Sequence, residues 1–386
     1  LIEFKYKAHP GKQLQFLAST ADYIFFGGAR GGAHTLDSQI LTPFGFKRMG
    51  DLEIGSQINN PDGSVARVIN VIPRGVTPVY ELTFIDGAKT RVSDDHLWLV
   101  KKTCSRLKAS RRYEPFCESD KVDGKIWTTI ELFTWMQKKK QSHKGQTIFD
   151  QNLLIPLSKP LPFTKTYKIN MRPIDPYTLG ALLGDGCITG TNNITITSAD
   201  IELIERINQA IFPAAFNKLA SADYGYSLRD TGDIKAGLKM IGVYGHSPKT
   251  KFIPESYKYS SINDRLEILR GLMDTDGTAD ERGHISFTSI SKQLAEDVQW
   301  IARSLGGKAT ISQHEAGYKK DGEYIWCNDA YTVYIQTKNN KNLFTLQRKI
   351  DRCKDEFNGG VSIPQRRIVD IQHVGEIETQ CITVDH

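Results

Sequence analysis

Cysteine is scarce and poorly spaced for structural use: the six in 386 residues (Cys104, Cys117, Cys187, Cys327, Cys353 and Cys381) include no C-x-x-C pair. A zinc centre needs ligands at short spacings, and a disulfide framework needs paired cysteines in a secreted setting. Neither is expected, and the thiols read as free in a reducing compartment. Long apolar runs are lacking too; none approaches the about 20 residues of a membrane span, so no membrane partner is expected. A strong charge of one sign is missing: Lys+Arg 50 against Asp+Glu 44 leaves +6. The basic clusters Arg111-Arg112, Lys138-Lys139-Lys140 and Arg366-Arg367 permit nucleic-acid contact, and serve equally well as solvated faces. An initial Met and a charged-then-apolar leader are absent, and the chain stops in mid-pattern at Cys381-Ile382-Thr383-Val384-Asp385-His386, so a fragment is expected.

A further absence is chemical. The apolar run Tyr23-Ile24-Phe25-Phe26 feeds Gly27-Gly28-Ala29-Arg30-Gly31-Gly32, which is how a phosphate-binding loop begins. Such a loop needs Gly-Lys-Ser/Thr next, for phosphate charge and magnesium, but the text continues Ala33-His34-Thr35-Leu36-Asp37. The loop is interrupted where its chemistry should follow, so the chain as written is not a working ATPase of that type.

What is present needs more than one core, since chains of this length divide into domains. From residue 38 to about 100, β-type runs such as Val65-Ala66-Arg67-Val68-Ile69-Asn70-Val71-Ile72 alternate with turn signals at Pro43-Phe44-Gly45, Asp62-Gly63 and Asp86-Gly87. A lysine-rich stretch with one helix expected around Ile130 to Lys140 follows. Pro156, Pro160, Pro162, Pro173 and Pro176 then mark a linker. From Tyr177 to about Gln347 helix-period and strand-period runs alternate, and from Ile363 the β pattern resumes.

The α+β segment contains a duplication. Thr178-Leu179-Gly180-Ala181-Leu182-Leu183-Gly184-Asp185-Gly186 recurs as Leu269-Arg270-Gly271-Leu272-Met273-Asp274-Thr275-Asp276-Gly277, each copy followed by a β-type run. Gly180, Ala181 and Gly271 carry too little side chain to hold two helices apart, so a close crossing is expected. Asp185 and Asp276 then converge. Two carboxylates that close repel unless a cation sits between them, and hard oxygen ligands favour Mg²⁺, which can activate water and stabilise a leaving oxygen. One Asp-Gly merely ends a helix in most proteins; two copies with matching downstream strands are far more specific.

The duplicated motifs resemble the paired motifs of single-chain LAGLIDADG homing endonucleases, over roughly residues 175 to 350. The resemblance implies two saddle-shaped sheets gripping double-stranded DNA, with Asp185 and Asp276 as metal ligands. Lys251-Phe252-Ile253-Pro254 resembles that family's Lys-x-Ile-Pro block, which makes Lys251 a candidate for polarising phosphate or water; a surface lysine before a proline turn fits equally well. The first copy departs from the family pattern by placing Leu183 where the second keeps an acid, Asp274.

The flanking β segments resemble the two halves of the Hint fold of inteins. Leu36 to Pro43 with Arg48 to Gly55 resembles the N-terminal block, which puts the first intein residue at Ala33. Gly87 through Ser93-Asp94-Asp95-His96 resembles the second block, with Ser93 standing for the usual Thr, and Arg367 to His386 resembles the block before the C-terminal junction. Common inteins begin with Cys or Ser; alanine has no nucleophile, so either the chain is disabled or the nucleophile lies elsewhere. Trp98, two positions after His96, and Cys381, in place of a common Asp, together resemble the third mechanistic class, whose internal cysteine attacks the junction. Alone, a Cys in a strand is more often a small buried hydrophobe and a Trp more often core. Coupled to Ala33, they favour the functional reading.

The resemblance then implies that Cys381 attacks the Gly32 carbonyl carbon, that His96 holds the scissile amide and protonates the Ala33 nitrogen, and that Ser93 positions that bond. Joining the flanks needs residues beyond His386. Residues 1–32 resemble the start of a phage terminase ATPase domain, other P-loop hosts being open. The expected architecture is multi-domain: host flank 1–32, all-β Hint halves 33–165 and 361–386, and an interrupting α+β endonuclease 166–360. Its partners are the intein-free host gene and the flanking host segments; it is expected to be a monomer, with Mg²⁺ as cofactor for cutting and none for splicing. The rivals are a DNA-packaging ATPase, and a DNA-binding intein that has lost cleavage.

Overall fold

The computed structural model describes residues 32–104, 125–141, 151–163, 172–190, 193–229, 232–281, 283–320, 323–353 and 365–385. The chain divides into two compact units, Leu1–Phe163 with Glu356–His386 and Thr164–Asp355. Apart from Gly32, the expected host flank lies outside the described residues.

The first unit is mostly strand: β1 (His34–Thr35), β2 (Gln39–Thr42), β3 (Gly45–Arg48), β4 (Gln57–Asn59), β5 (Val65–Phe84), β6 (Lys89–Ser93), β7 (Leu97–Cys104), β8 (Lys125–Thr128), β9 (Gln151–Pro156) and, at the far end of the chain, β18 (Gln365–Val384). Period-2 alternation accounts for the start of β5, where Ala66 and Val68 are buried and Arg67 between them is exposed. The main sheet runs β4-β5-β6-β1-β18-β9-β7-β8, and β5 also pairs with β18 from Ile368↔Phe84 to Val384↔Val68. Residues about 300 positions apart in sequence are therefore joined along two long strands. Two apolar clusters fill this unit, one around Ile40, Ile58, Leu99 and Ile382, the other around Leu82, Phe84, Trp98 and Ile155. Its helix α1 (Thr129–Gln141) opens with a reciprocal cap: Thr128 N–H donates to Glu131 Oε2 at 2.7 Å and Glu131 N–H to Thr128 Oγ1 at 3.3 Å.

The second unit repeats one plan. Its first copy is α2 (Pro176–Gly184), β10 (Gly186–Cys187), β11 (Thr195–Thr197), α3 (Ile201–Ile211), β12 (Ala215–Lys218) and β13 (Gly225–Arg229). After α4 (Asp233–Met240) and α5 (Glu255–Lys258), the second is α6 (Ile262–Thr275), β14 (Gly277–Ala279), β15 (Ile285–Ser289), α7 (Lys292–Ser304), β16 (Lys308–Lys320) and β17 (Glu323–Gln336), followed by α8 (Gln347–Ile350). The two four-stranded sheets share one order, β10-β11-β13-β12 and β14-β15-β17-β16. Helix α3 buries Leu203, Ile204, Ile207 and Ile211, and α7 buries Leu294, Ala295, Val298, Ile301 and Ala302. These are the one-face spacings of amphipathic helices laid on a sheet, each large aliphatic contributing about 1.5–3 kcal/mol by burial.

Candidate active sites

In the first unit, the peptide between Gly32 and Ala33 is enclosed. Ala33 is fully buried, its N–H donates to Ser93 Oγ at 2.7 Å, and its carbonyl accepts from Ser93 N–H at 2.9 Å. Gly32 has φ +92, and a Cβ there would meet His96 Cα at 2.4 Å and Nδ1 at 2.6 Å. Only glycine fits, so the imidazole lies directly against the Gly32 side of that peptide. His96 is itself fully buried, and burial lowers its pKa to about 3. Neither of its ring nitrogens has a hydrogen-bond partner among the described residues. At neutral pH it is therefore a neutral imidazole that takes a proton before it gives one.

Trp98 packs edge-on against His96 at 4.9 Å and donates from Nε1 to Thr129 Oγ1 at 2.9 Å. Thr129 also donates its N–H to His96 O at 2.9 Å, so the first residue of α1 holds the Trp98 side chain and the His96 main chain in place. His34 sits edge-on to His96 on another side, at 5.0 Å; its pKa is driven well down by burial first and by His96 second. Cys381 is buried in β18. The β1/β18 register pairs Thr35 with Thr379 and His34 with Gln380, and Ala33 and Cys381 are the next residues beyond the His34↔Gln380 pair on the two strands. Burial pushes the thiol pKa up.

In the second unit, α2 and α6 cross at their glycines. A Cβ on Gly180 would lie 2.2 Å from Ile268 O, and one on Gly271 2.2 Å from Tyr177 O. Backbone touches backbone there, as the small residues require. Helix α2 starts at Asp175, which accepts Thr178 N–H at 2.9 Å, and α6 at Ser261, which accepts Asp264 N–H at 3.1 Å. Their last turns end on Asp185 and Asp276. Burial, then Asp185, pushes the Asp276 carboxyl up to about 6; burial also raises Asp185. Each carboxylate end is braced by a buried lysine. Lys251 Nζ donates to Leu182 O, Gly184 O and Gly186 O at 3.2, 2.8 and 2.7 Å, while Lys349 Nζ reaches Met273 O, Thr275 O and Gly277 O, the equivalent positions of the second copy, at 2.9, 3.1 and 2.7 Å, together with Asp274 O at 2.7 Å. Burial first lowers both ammonium groups to about 8, while Asp276 and Asp185 pull Lys251 upward.

The surface-lysine alternative for Lys251 is thereby removed, since it is 4% exposed. Its three N–H bonds are committed to carbonyls, so it holds the turn that carries Asp185. Lys349 escaped the sequence reading because its flanks, Arg348 and Ile350-Asp351, do not reproduce Phe252-Ile253-Pro254; aligning the whole repeat rather than the short block would have found it. Asp274 and Leu183 also part company. Asp274 is buried and accepts from Tyr177 O–H at 2.8 Å and Thr345 N–H at 2.9 Å, whereas Leu183 is core. The additional acid of the second copy is a structural anchor, which explains why the first copy does without it.

The donor set suits Mg²⁺. The Asp185 charge disfavours ionisation of Asp276, the condition a divalent cation relieves, and among the described residues no third His, Cys, Asp or Glu joins them. Mg²⁺ commonly binds through one or two carboxylates and keeps the rest of its shell for water and phosphate oxygens. Of the basic clusters, Arg111-Arg112 lies outside the described residues, and so do the side chains of Lys138 to Lys140. Arg366 is buried at 2% exposure against Asp86 at 2.8 Å, so that cluster is not a solvated face. Cys187 and Cys381 are free thiols.

Residues 263–350, which hold Asp274, Asp276 and Lys349, match the family described as "LAGLIDADG-like domain". A curated protein named "Replicative DNA helicase DnaB" from Mycobacterium intracellulare is 28% identical over 369 residues, 92% of this chain and 56% of its own length. One of the same name from Synechocystis sp. is 24% identical over 259 residues, 60% and 29%. The chain thus spans about half the length of the first relative and less of the second. Among solved structures, a crystal structure of the gp41-1 intein is 29% identical, covering 19% of this chain and 56% of that one with a TM-score of 0.18. Variants of the homing endonuclease I-DmoI are 17% identical, covering 47% and 97% with a TM-score of 0.30. At such TM-scores neither likeness bears on the fold. The terminase expectation is corrected: the curated relatives that align along this chain carry a helicase name.

Proposed function

We propose that the chain is a self-splicing element that carries its own DNA-cleaving domain, the Hint-like halves at 33–165 and 361–386 enclosing an endonuclease at 166–360. The observation that carries the splicing half is the Gly32–Ala33 peptide, enclosed by Ser93 and His96 with Cys381 one register step away on the neighbouring strand. Neutral His96 accepts the Cys381 proton, the sulfur adds to the Gly32 carbonyl carbon, and the imidazolium delivers that proton to the departing Ala33 nitrogen. Trp98, itself held by Thr129, packs against the imidazole and keeps its place for both transfers. A free thiol is needed throughout, which a reducing cytoplasm maintains. The test is mass spectrometry of the chain extended through its natural C-terminal junction, beside Cys381→Ala. Joined flanks from the parent and unspliced precursor from the variant are expected; splicing by the variant sinks the reading.

For the second unit, the family match and the convergent, lysine-braced Asp185 and Asp276 support metal-assisted hydrolysis of both strands of DNA. Mg²⁺ held by those carboxylates supplies Lewis-acid stabilisation of an alkoxide leaving group. Lys251 and Lys349 pin the turns that present the carboxylates and put two positive charges beside a polyanionic substrate. The proposed target is the intein-free host gene, and a replicative helicase is the host setting that the alignments favour. Incubating a plasmid carrying the uninterrupted host sequence with the protein should give linear DNA only when Mg²⁺ is added. Retention of the plasmid on the protein without linearisation identifies instead a DNA-binding element that has lost cleavage.

A further inference from the structure

The enclosed junction leaves one question open: what makes Ser93 an acceptor. A serine hydroxyl has one proton and two lone pairs, and it can accept the Ala33 N–H reliably only if its own proton is held elsewhere. That partner is Asp95, whose Oδ1 accepts from Ser93 Oγ at 2.6 Å. Its other oxygen, Oδ2, accepts from Arg74 Nη2 at 2.6 Å. Arg74 occupies a special place in the sheet. Thr379 pairs with Gly75 and Gln380 with Pro73, so Arg74 is the extra, unpaired residue of a bulge in β5, with the pair Cys381↔Ile72 one step beyond Gln380↔Pro73. Bulges turn a side chain out of the regular alternation, and this one aims a guanidinium across the sheet at Asp95.

We propose that Asp95 and Arg74 are positioning residues for acyl transfer at the Gly32–Ala33 bond, Asp95 holding the Ser93 proton so that a lone pair faces the amide, and Arg74 anchoring Asp95 while setting its charge beside the Cys381 sulfur. The inference rests on the splicing reading and deepens it. Burial raises the Cys381 thiol, Arg74 pulls it down and Asp95 pushes it up, so the pair is coupled to the nucleophile as well as to the amide. In the transfer the S–C bond to Gly32 forms, the Gly32–Ala33 C–N bond breaks and the thiol proton ends on the Ala33 nitrogen. Ser93, Asp95 and Arg74 finish as they began, and no outside reactant enters. Stability gives little reason for the pair: both side chains are 37% exposed, and exposed ion pairs contribute little to folding.

The experiment uses the chain as it stands. Hydroxylamine captures the thioester and releases residues 1–32, which mass spectrometry follows with time in the parent, Asp95→Ala, Asp95→Asn, Arg74→Gln, Arg74→Lys and Cys381→Ala, each with its melting temperature. Relative to the parent, release is expected to slow about a hundredfold in Asp95→Ala and about tenfold in Asp95→Asn, which keeps a neutral acceptor. Arg74→Gln should move the rate–pH profile to higher pH and Arg74→Lys should restore it, with melting temperatures unchanged. Release from Asp95→Ala at the parent rate, an unmoved profile in Arg74→Gln, or losses that simply follow melting temperature overturn the positioning role while the splicing reading stands. No release from the parent, or equal release from Cys381→Ala, overturns the splicing reading and the positioning role with it.

Discussion

The two units bury their reactive groups in opposite electrical states. Beside the Gly32–Ala33 peptide burial acts on histidines: His34 and His96 are driven toward the neutral form, and the site has no symmetry, each group appearing once. At the helix crossing burial acts on carboxylates that also repel each other, and every element of the site appears twice, Asp185 with Lys251 and Asp276 with Lys349. Desolvation thus favours a neutral acid–base in one unit and prepares a cation site in the other. On the proposed reading, the first site moves one proton between fixed partners and the second acts on two strands from a duplicated centre.

The duplication is where the comparison breaks most easily. Asp185→Asn and Asp276→Asn are each expected to lower DNA cleavage on the order of a thousandfold while leaving hydroxylamine-driven release of residues 1–32 at the parent rate. Loss of both activities in either variant would dissolve the distinction. Next in size, Gly271→Val should destabilise the second unit by at least about 3 kcal/mol, since its side chain would meet the backbone of α2; a calorimetric scan that finds this transition unmoved removes the close crossing. Replacing Lys251 or Lys349 by Met strands buried carbonyls, and each variant should lose about 1–3 kcal/mol by denaturant titration. Unequal losses would show that the bracing is not shared evenly between the copies.

The smallest effect tests the electrical contrast itself. The folded-state pKa of His96 lies near 3, below its unfolded value near 6.5, so its contribution is fully present above pH 6.5 and is lost as pH falls toward 3. Asp276 has the opposite sign: its folded value near 6 lies above the unfolded 3.8, so its contribution is full below 3.8 and lost as pH rises through 6. Between pH 4 and 6 each group tilts its unit by up to about 1.4 kcal/mol per pH unit, in opposite directions. Hydrogen exchange of the two cores across that range should show the first unit weakening and the second strengthening on acidification. Parallel behaviour would mean that other groups dominate.

Much of this was written in local patterns. The paired nonapeptides announced α2 and α6 because glycine spacing and terminal aspartates act within a few residues, and the Ser93–His96–Trp98 cluster was legible because β6 and β7 are joined by a short turn. Lys349 was not legible: a lysine that braces a helix end needs only its length and charge, so its neighbours were free to diverge from those of Lys251. Arg74 was not either, because its meaning depends on a bulge that exists only when β5 meets β18. The basic pair Arg366-Arg367 misled for the same reason, since the partner that buries Arg366 is Asp86, far away in sequence.

Sequence alone determined which elements form and which residue types are available: strands from period-2 alternation, crossing helices from glycine, a thiol missing at Ala33 and present at Cys381. The tertiary structure decided which of them meet. Pairing across some 300 residues sets Gln380 opposite His34, with Cys381 and Ala33 the next residues beyond that pair, and the antiparallel register that does this arises from side-chain packing on both faces of the sheet rather than from any local motif. The same holds for electrical state. Histidine is neutral or charged, and aspartate paired or protonated, according to how much water the fold leaves around it, and that is a property of the packed interior alone.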